Sequence, residues 1–202
     1  MMSRVGNSSR DDDDADGLRA TTENFKSDLR QLIQENKVVV LVGAGLSRNV
    51  CDNAPSWVEL VRRGIEYAHA NGKGGDWCAR RLAELDSPTL DLDELFSAAD
   101  LIAKKLGEAD FGQWLEEVFS PLKANRPEAI NALMALGMPI MTTNYDDLLT
   151  GQCGRKVITP QRGNQMARWL HETKLVSKSV FHLHGHYEDP QTVVFSQSHY
   201  DQ

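Results

Sequence analysis

Residues 38 to 47 read Val38-Val39-Val40-Leu41-Val42-Gly43-Ala44-Gly45-Leu46-Ser47, an apolar run that passes straight into a turn with almost no side chains. The run is short and dominated by β-branched valine, so it predicts a buried strand rather than a helix. Gly43 and Gly45 then let another group come close to the backbone. A strand that turns into a helix in this way presents unpaired N–H groups and a partial positive charge, the usual setting for a phosphate. The same glycines would serve equally well in a bare strand-to-helix turn. The full dinucleotide fingerprint needs Gly or Ala at the sixth position, where Arg48 stands. No second strand bearing an acid about twenty residues on is visible, which argues against a standard hydride-transferring dehydrogenase.

Working outward, two later segments also place polar groups at the ends of apolar runs. One is Met141-Thr142-Thr143-Asn144-Tyr145-Asp146 and the other Phe181-His182-Leu183-His184-Gly185. Open α/β sheets bind ligands at the carboxyl edge of their strands, so all three segments are expected to converge on one crevice. An amide at Asn144 suits a sugar hydroxyl or an in-line water, and Asp146 suits the orientation of a neighbour. Either residue would also serve as a plain helix cap. Alternation along a strand sends His182 and His184 to one face and Phe181 and Leu183 to the other. Three readings of the histidines follow: a general base working near neutral pH, a pair sharing a cation, or packed rings with no chemistry. No cysteine pair or third ligand completes the metal reading.

The chain has 202 residues, of which 41% are hydrophobic, enough to fill the core of one domain. A formal charge of -7 without a basic stripe argues against direct nucleic-acid binding and against anionic lipid. Cys51, Cys78 and Cys153 have no paired spacing, which fits a reducing, cytoplasmic setting. No apolar stretch approaches the roughly 18 residues of a membrane span, and no secretion signal is seen. The acidic block Asp11 to Asp14 marks residues 1 to 20 as a disordered arm.

From Thr21 the texture changes, and Phe25, Leu29, Leu32 and Ile33 predict a helix before the strand at Lys37 to Val42. Ser56 with Glu59 three residues on predicts a capped helix that stops near Asn71-Gly72. Helical spacing continues around Cys78 to Leu85, Leu92 to Leu106, Phe111 to Phe119 and Pro127 to Leu136. A block of that length exceeds a simple crossover, so residues 56 to 137 are expected to form a helical insertion capping one side of the sheet. Strands are expected at Met138 to Thr143, Lys156 to Ile158, Ser179 to His184 and, weakly, Thr192 to Phe195. Helices are expected at Asn144 to Leu149 and Gln161 to Leu170. The class is α/β, with a Rossmann-like parallel sheet and the insertion between its first and second strands.

Taken in order, Gly43-Ala44-Gly45-Leu46-Ser47, Thr142-Thr143-Asn144-Tyr145-Asp146 and His184-Gly185 resemble the sirtuin-like NAD-consuming superfamily. The resemblance runs from about Val38 to Tyr200 and places a domain at residues 21 to 202. It implies NAD as substrate. Gly43, Ala44, Gly45 and Ser47 would hold the cofactor phosphates. Asn144 and Asp146 would face the nicotinamide ribose, and Thr143, His184 and Gly185 would also bind the cofactor. Asn144 and His184 are the catalytic residues so implied.

The four-cysteine zinc module of protein-deacylating sirtuins has no counterpart after Gly185, and Pro55-Ser56-Trp57 replaces their acidic-aromatic-arginine segment. The chain therefore looks more like zinc-free sirtuin-like domains of NAD-depleting immune effectors. That branch implies an NAD hydrolase, an NAD nucleosidase releasing nicotinamide and ADP-ribose, in antiviral or immune defence. Two alternatives stand beside it: a non-catalytic sensor or assembly module binding NAD or an ADP-ribose-type nucleotide, and an NAD-dependent protein deacylase. Such effectors work as assemblies, which implies a homo-oligomer or a partner subunit. In the family the sheet continues beyond the histidine-glycine strand, so the C-terminal part of the sheet is expected to be missing here, as in a fragment, a shortened natural form or a subunit that needs a partner.

Overall fold

A computed structural model of the chain describes residues 9–35, 37–160, 165–172 and 176–200, with the side chains of 9–21, 165 and 200 outside that description. Two units divide at Val38 and Val39. The first contains helix α1, Ser9–Gln34. It starts inside the segment read as a disordered arm: residues 9 to 20 are helical, with no proline and only Gly17 to weaken the run. Residues 1–8 of that arm lie outside the described residues.

The second unit is built on a sheet of four parallel strands in the order β1-β2-β4-β3, with β1 Val40–Val42, β2 Ile140–Thr142, β3 Lys156–Ile158 and β4 Ser179–His182. Val42 pairs with Thr142, and Thr142 with His182, so the carboxyl ends of β1, β2 and β4 finish level with one another. That register brings the glycine turn, the Asn144 loop and the His184 turn to one edge. The fold is the Rossmann-like α/β arrangement that the apolar runs imply.

Helix α2, Ala44–Val50, starts inside the stretch read as a turn, with Gly43 as its N-cap. Helix α3, Trp57–Ala70, begins at Ser56, whose hydroxyl accepts from the Glu59 N–H while the Glu59 carboxylate accepts from the Ser56 N–H. Helix α4, Asp76–Leu85, comes next. The two helices expected between Leu92 and Phe119 both form and run together as α5 (Leu92–Phe119), with the break at Gly107, which takes φ 69° and ψ 174°. Only glycine enters that backbone region without strain, so the break falls between the two apolar stretches the sequence separates. Leu60, Val61, Ile65, Ile102, Trp114 and Leu115 form the core of this helical layer. Helix α6, Glu128–Ala135, returns the chain to β2. A second cluster holds Val50, Ile130, Ile140, Leu148 and Val180 together, and a third seats Trp169 on Met141 and Phe181.

Three expectations shift. The helix expected at Asn144 to Leu149 is α7, Leu148–Cys153, because residues 144 to 147 are held as a loop. The helix expected at Gln161 to Leu170 is α8, Gln165–His171, and residues 161–164 lie outside the described residues. The weak strand at Thr192 to Phe195 does not form. A 3-10 turn, Pro190–Thr192, is followed by irregular backbone and a last helical turn, Gln197–Tyr200. The alternating apolar residues there serve the helical layer instead: the Phe195 ring lies 5.0 Å from Trp57, 5.2 Å from Trp114 and 5.5 Å from Phe111.

Candidate active site at the carboxyl edge of the sheet

The loop after β2 is fixed by hydrogen bonds in place of helix. Asn144 N–H donates to Thr142 Oγ1 at 3.0 Å, and Asn144 Nδ2 donates to Ser47 Oγ at 2.7 Å. Ser47 in turn donates to Asp146 Oδ2 at 2.7 Å, and Asp146 Oδ1 accepts from the Leu148 N–H at 3.0 Å, capping α7. A serine from the first β-α turn thus links the amide and the carboxylate of the second. Because its single proton goes to Asp146, its oxygen must accept from Asn144, which orients the amide.

The chain leaves β4 through a turn. Gly185 N–H donates to His182 O at 3.1 Å, and Gly185 takes φ +83°. A Cβ there would sit 2.1 Å from Thr192 O, so a side chain has neither the conformation nor the space it needs. The turn also separates the two histidines expected to share a face. His182 is wholly buried, with Nδ1 3.0 Å from Asn144 O. His184 is half-buried and lines a cavity.

That cavity, about 170 Å³, is lined by Ala44, Ser47, Thr143, Asn144, Asp146 and His184 on the sheet side, and by Pro55, Ser56, Trp57, Leu60, Phe119 and Tyr145 elsewhere. It therefore unites the amide of one β-α junction with the imidazole of another. Of the remaining residues singled out, Gly43 is the N-cap of α2, and a Cβ there would meet Thr143 Oγ1 at 3.2 Å. Gly45 is exposed within α2 and does not line the cavity, nor do Gly43 and Gly185. No side chain caps the N-terminus of α2. A larger groove of about 1120 Å³ carries Glu108, Glu116, Glu188 and Asp189 on its walls, a charge pattern that repels phosphate.

The electrostatics separate the acids from one another. Burial raises the Asp146 pKa above the usual carboxylate range, against the lowering effect of the Ser47 hydrogen bond. Asp147 is held down to about 2, chiefly by its hydrogen bond with His186, and also by Thr150 and Tyr187. Burial pushes His182 down to about 4 and lowers His184 as well. Asp147, His186 and Glu188 each bring a possible metal-ligating atom within 4.8 Å of the others. Both ring nitrogens of His186 are already in use: Nε2 lies 3.0 Å from Asp147 Oδ1, and Nδ1 accepts from the Glu188 N–H at 3.3 Å. This ring is a structural link, and it is not one of the alternate histidines considered as a shared cation site.

Sequence reasoning missed the cavity's apolar wall. Trp57 and Phe119 read as ordinary members of helical stripes, and only the departure at Pro55-Ser56-Trp57 hinted otherwise. It also missed the role of Ser47 as a bridge, since Ser47 and Asp146 lie 99 positions apart. Among the described residues no helix is long and apolar enough to cross a membrane. The family model described as a SIR2-like domain matches residues 139–202, a span that starts after the helical block and contains both the Asn144 loop and the His184 turn. The match supports a sirtuin-like domain in this chain, and with it NAD-related activity in general.

Proposed function

We propose that the chain hydrolyses NAD at the bond between nicotinamide and ribose. The observation that carries this reading is the shared cavity: Asn144, Asp146 and His184 line the same small space, closed by Trp57, Phe119 and Tyr145. An aromatic and apolar wall suits a planar ring, and the polar side suits a sugar and a water. The uncapped N-terminus of α2 beside Ala44 suits the pyrophosphate.

In the proposed reaction the C1′–N bond breaks and its electron pair leaves with nicotinamide, which becomes neutral. The ribose carbon develops oxocarbenium-like charge, as in other glycosidic cleavages. Asn144, oriented through Ser47, would position the water or the ribose hydroxyls, and orientation alone lowers a barrier by several kcal/mol. The water oxygen bonds to C1′, and its proton passes to His184. Burial favours the neutral form of that imidazole, the form able to accept a proton. Asp146 spends both carboxylate oxygens on Ser47 and the Leu148 N–H, so its part is to hold the amide in place. The Pro55-Ser56-Trp57 segment and the Thr143-Asn144-Tyr145-Asp146-Asp147 form favour the hydrolase and defence branch over deacylation.

The test is to incubate purified protein with NAD, with and without an acylated peptide, and follow nicotinamide, ADP-ribose and cyclised products by chromatography. Nicotinamide and ADP-ribose without peptide are expected. Asn144→Ala and His184→Ala should each lower release by about 100-fold or more with melting little changed. Unchanged turnover in either variant rejects its assignment. Saturable binding with no product would favour a sensor, and strict dependence on peptide a deacylase.

A further inference from the structure

The geometry points to His182 as a positioning residue for the proposed cleavage, holding the peptide plane from which the Asn144 side chain enters the cavity. The inference rests on that reading of Asn144 and His184, and adds a residue to it.

His182 Nδ1 lies 3.0 Å from the carbonyl oxygen of Asn144. A carbonyl has no proton to give, so Nδ1 carries the hydrogen and donates it. Nε2 is then bare, buried, and without a hydrogen-bond partner among the described residues. Leaving a ring nitrogen unpaired in the interior is unfavourable, and a leucine or phenylalanine would fill the same space without that cost. What a histidine supplies here and an apolar residue does not is the donor at the δ position.

The consequence falls on Asn144. Its N–H is held by Thr142, its Nδ2 by Ser47 and its carbonyl by His182, so side chains from the ends of β2 and β4 and from α2 fix it. The amide oxygen Oδ1 takes no hydrogen bond among the described residues, and it remains to meet a substrate. The other end of the same loop is tied independently. Asp147 is engaged by His186 Nε2 at 3.0 Å and by the Tyr187 hydroxyl at 3.1 Å, while Tyr187 N–H donates to Tyr145 O at 3.1 Å. Removing His182 therefore releases the Asn144 end of the loop while the Asp147 end stays in place.

The experiment compares His182→Leu and His182→Asn, since an asparagine Nδ2 falls near the place of the imidazole Nδ1. Steady-state nicotinamide release from NAD, thermal melting, and the NMR signals of the Asn144 side-chain amide are followed for both. The leucine variant should melt at or above the unaltered protein, yet lose about tenfold in kcat with KM changed much less. The asparagine variant, smaller and more polar, should melt lower and recover most of kcat. That inversion of stability and activity is not the behaviour of a residue that only fills space. Full kcat in the leucine variant, or losses that track melting in both variants, overturns the assignment. If the unaltered protein releases no nicotinamide, the cleavage reading fails separately. The Asn144 amide signal then decides the positioning: displaced by leucine and restored by asparagine supports it, and unmoved by leucine overturns it.

Discussion

The helical layer of α3 to α5 and the carboxyl edge of the sheet are held together by different forces. The layer is apolar and local in pattern, with Trp114, Ile65, Ile102 and Leu115 essentially sealed from solvent. The edge is polar and non-local: Ser47 with Asp146, Ser47 with Asn144, His182 with Asn144 and His186 with Asp147 join residues far apart in the chain. Burial of aliphatic and aromatic surface gives most of the stability. Hydrogen bonds with fixed direction add less net free energy, but they decide which way an amide points. The two regions meet at the cavity, where Trp57 and Phe119 of the layer face Asn144 and His184 of the edge.

Mutations can pull that contrast apart. The largest effect belongs to the layer: Trp114→Ala removes a side chain that is 1% exposed and packed on Phe111 and Phe195, and should cost about 3–5 kcal/mol in denaturant unfolding. Acid comes next and strikes the edge. The folded-state pKa of His182 is near 4 against an ordinary 6.5, so the unfolded chain binds the extra proton first. The stability it contributes is complete above pH 6.5 and lost as pH falls through 4, a loss of up to about 3 kcal/mol. Asp147, held near 2, adds its own loss below the ordinary carboxylate range, in the same direction. Unfolding free energies measured from pH 7 to pH 4 should show the first step, and His182→Leu should flatten it.

A smaller stability effect with a large functional one is expected from Ser47→Ala. It strips Asp146 of a donor and Asn144 of an acceptor, at a cost of about 1–3 kcal/mol. Nicotinamide release should fall further than melting does, and parallel loss of both would argue that the bridge is merely structural. The smallest effect sits far from the cavity. Asp91 caps α5 through the Glu94 N–H, and Asp91→Ala should cost about 1 kcal/mol while leaving NAD turnover as it was.

The same contrast explains what could be read from the residues alone. Periodicity and chemistry within a few positions were legible: a strand in the valine run, the Ser56–Glu59 capping box, and the strand at Lys156 to Ile158. The burial expected of the valine run was not, because β1 lies at the sheet edge and leaves Leu41 62% exposed. The gathering of Asn144 and His184 at one edge followed from where the apolar runs end. Tertiary context overrode local pattern elsewhere. Val193 and Phe195 alternate like a strand, yet they plug the helical layer. His182 and His184 alternate too, but Gly185 turns the chain and gives them different surroundings. Nothing within a short window tells Ser47 that its partner is Asp146, nor marks Trp57 and Phe119 as the wall of a cavity and not only of a core.

His182 and His186 stand two positions before and two positions after His184. The outer pair grips the neighbouring loop at Asn144 and at Asp147, and the middle ring lines the cavity. Such spacing tolerates replacement of the intervening residues far better than any change in their number. One residue gained or lost between the anchors would slide the central imidazole out of place and unhook an anchor in the same stroke, which makes this stretch a ruler for aligning two loops.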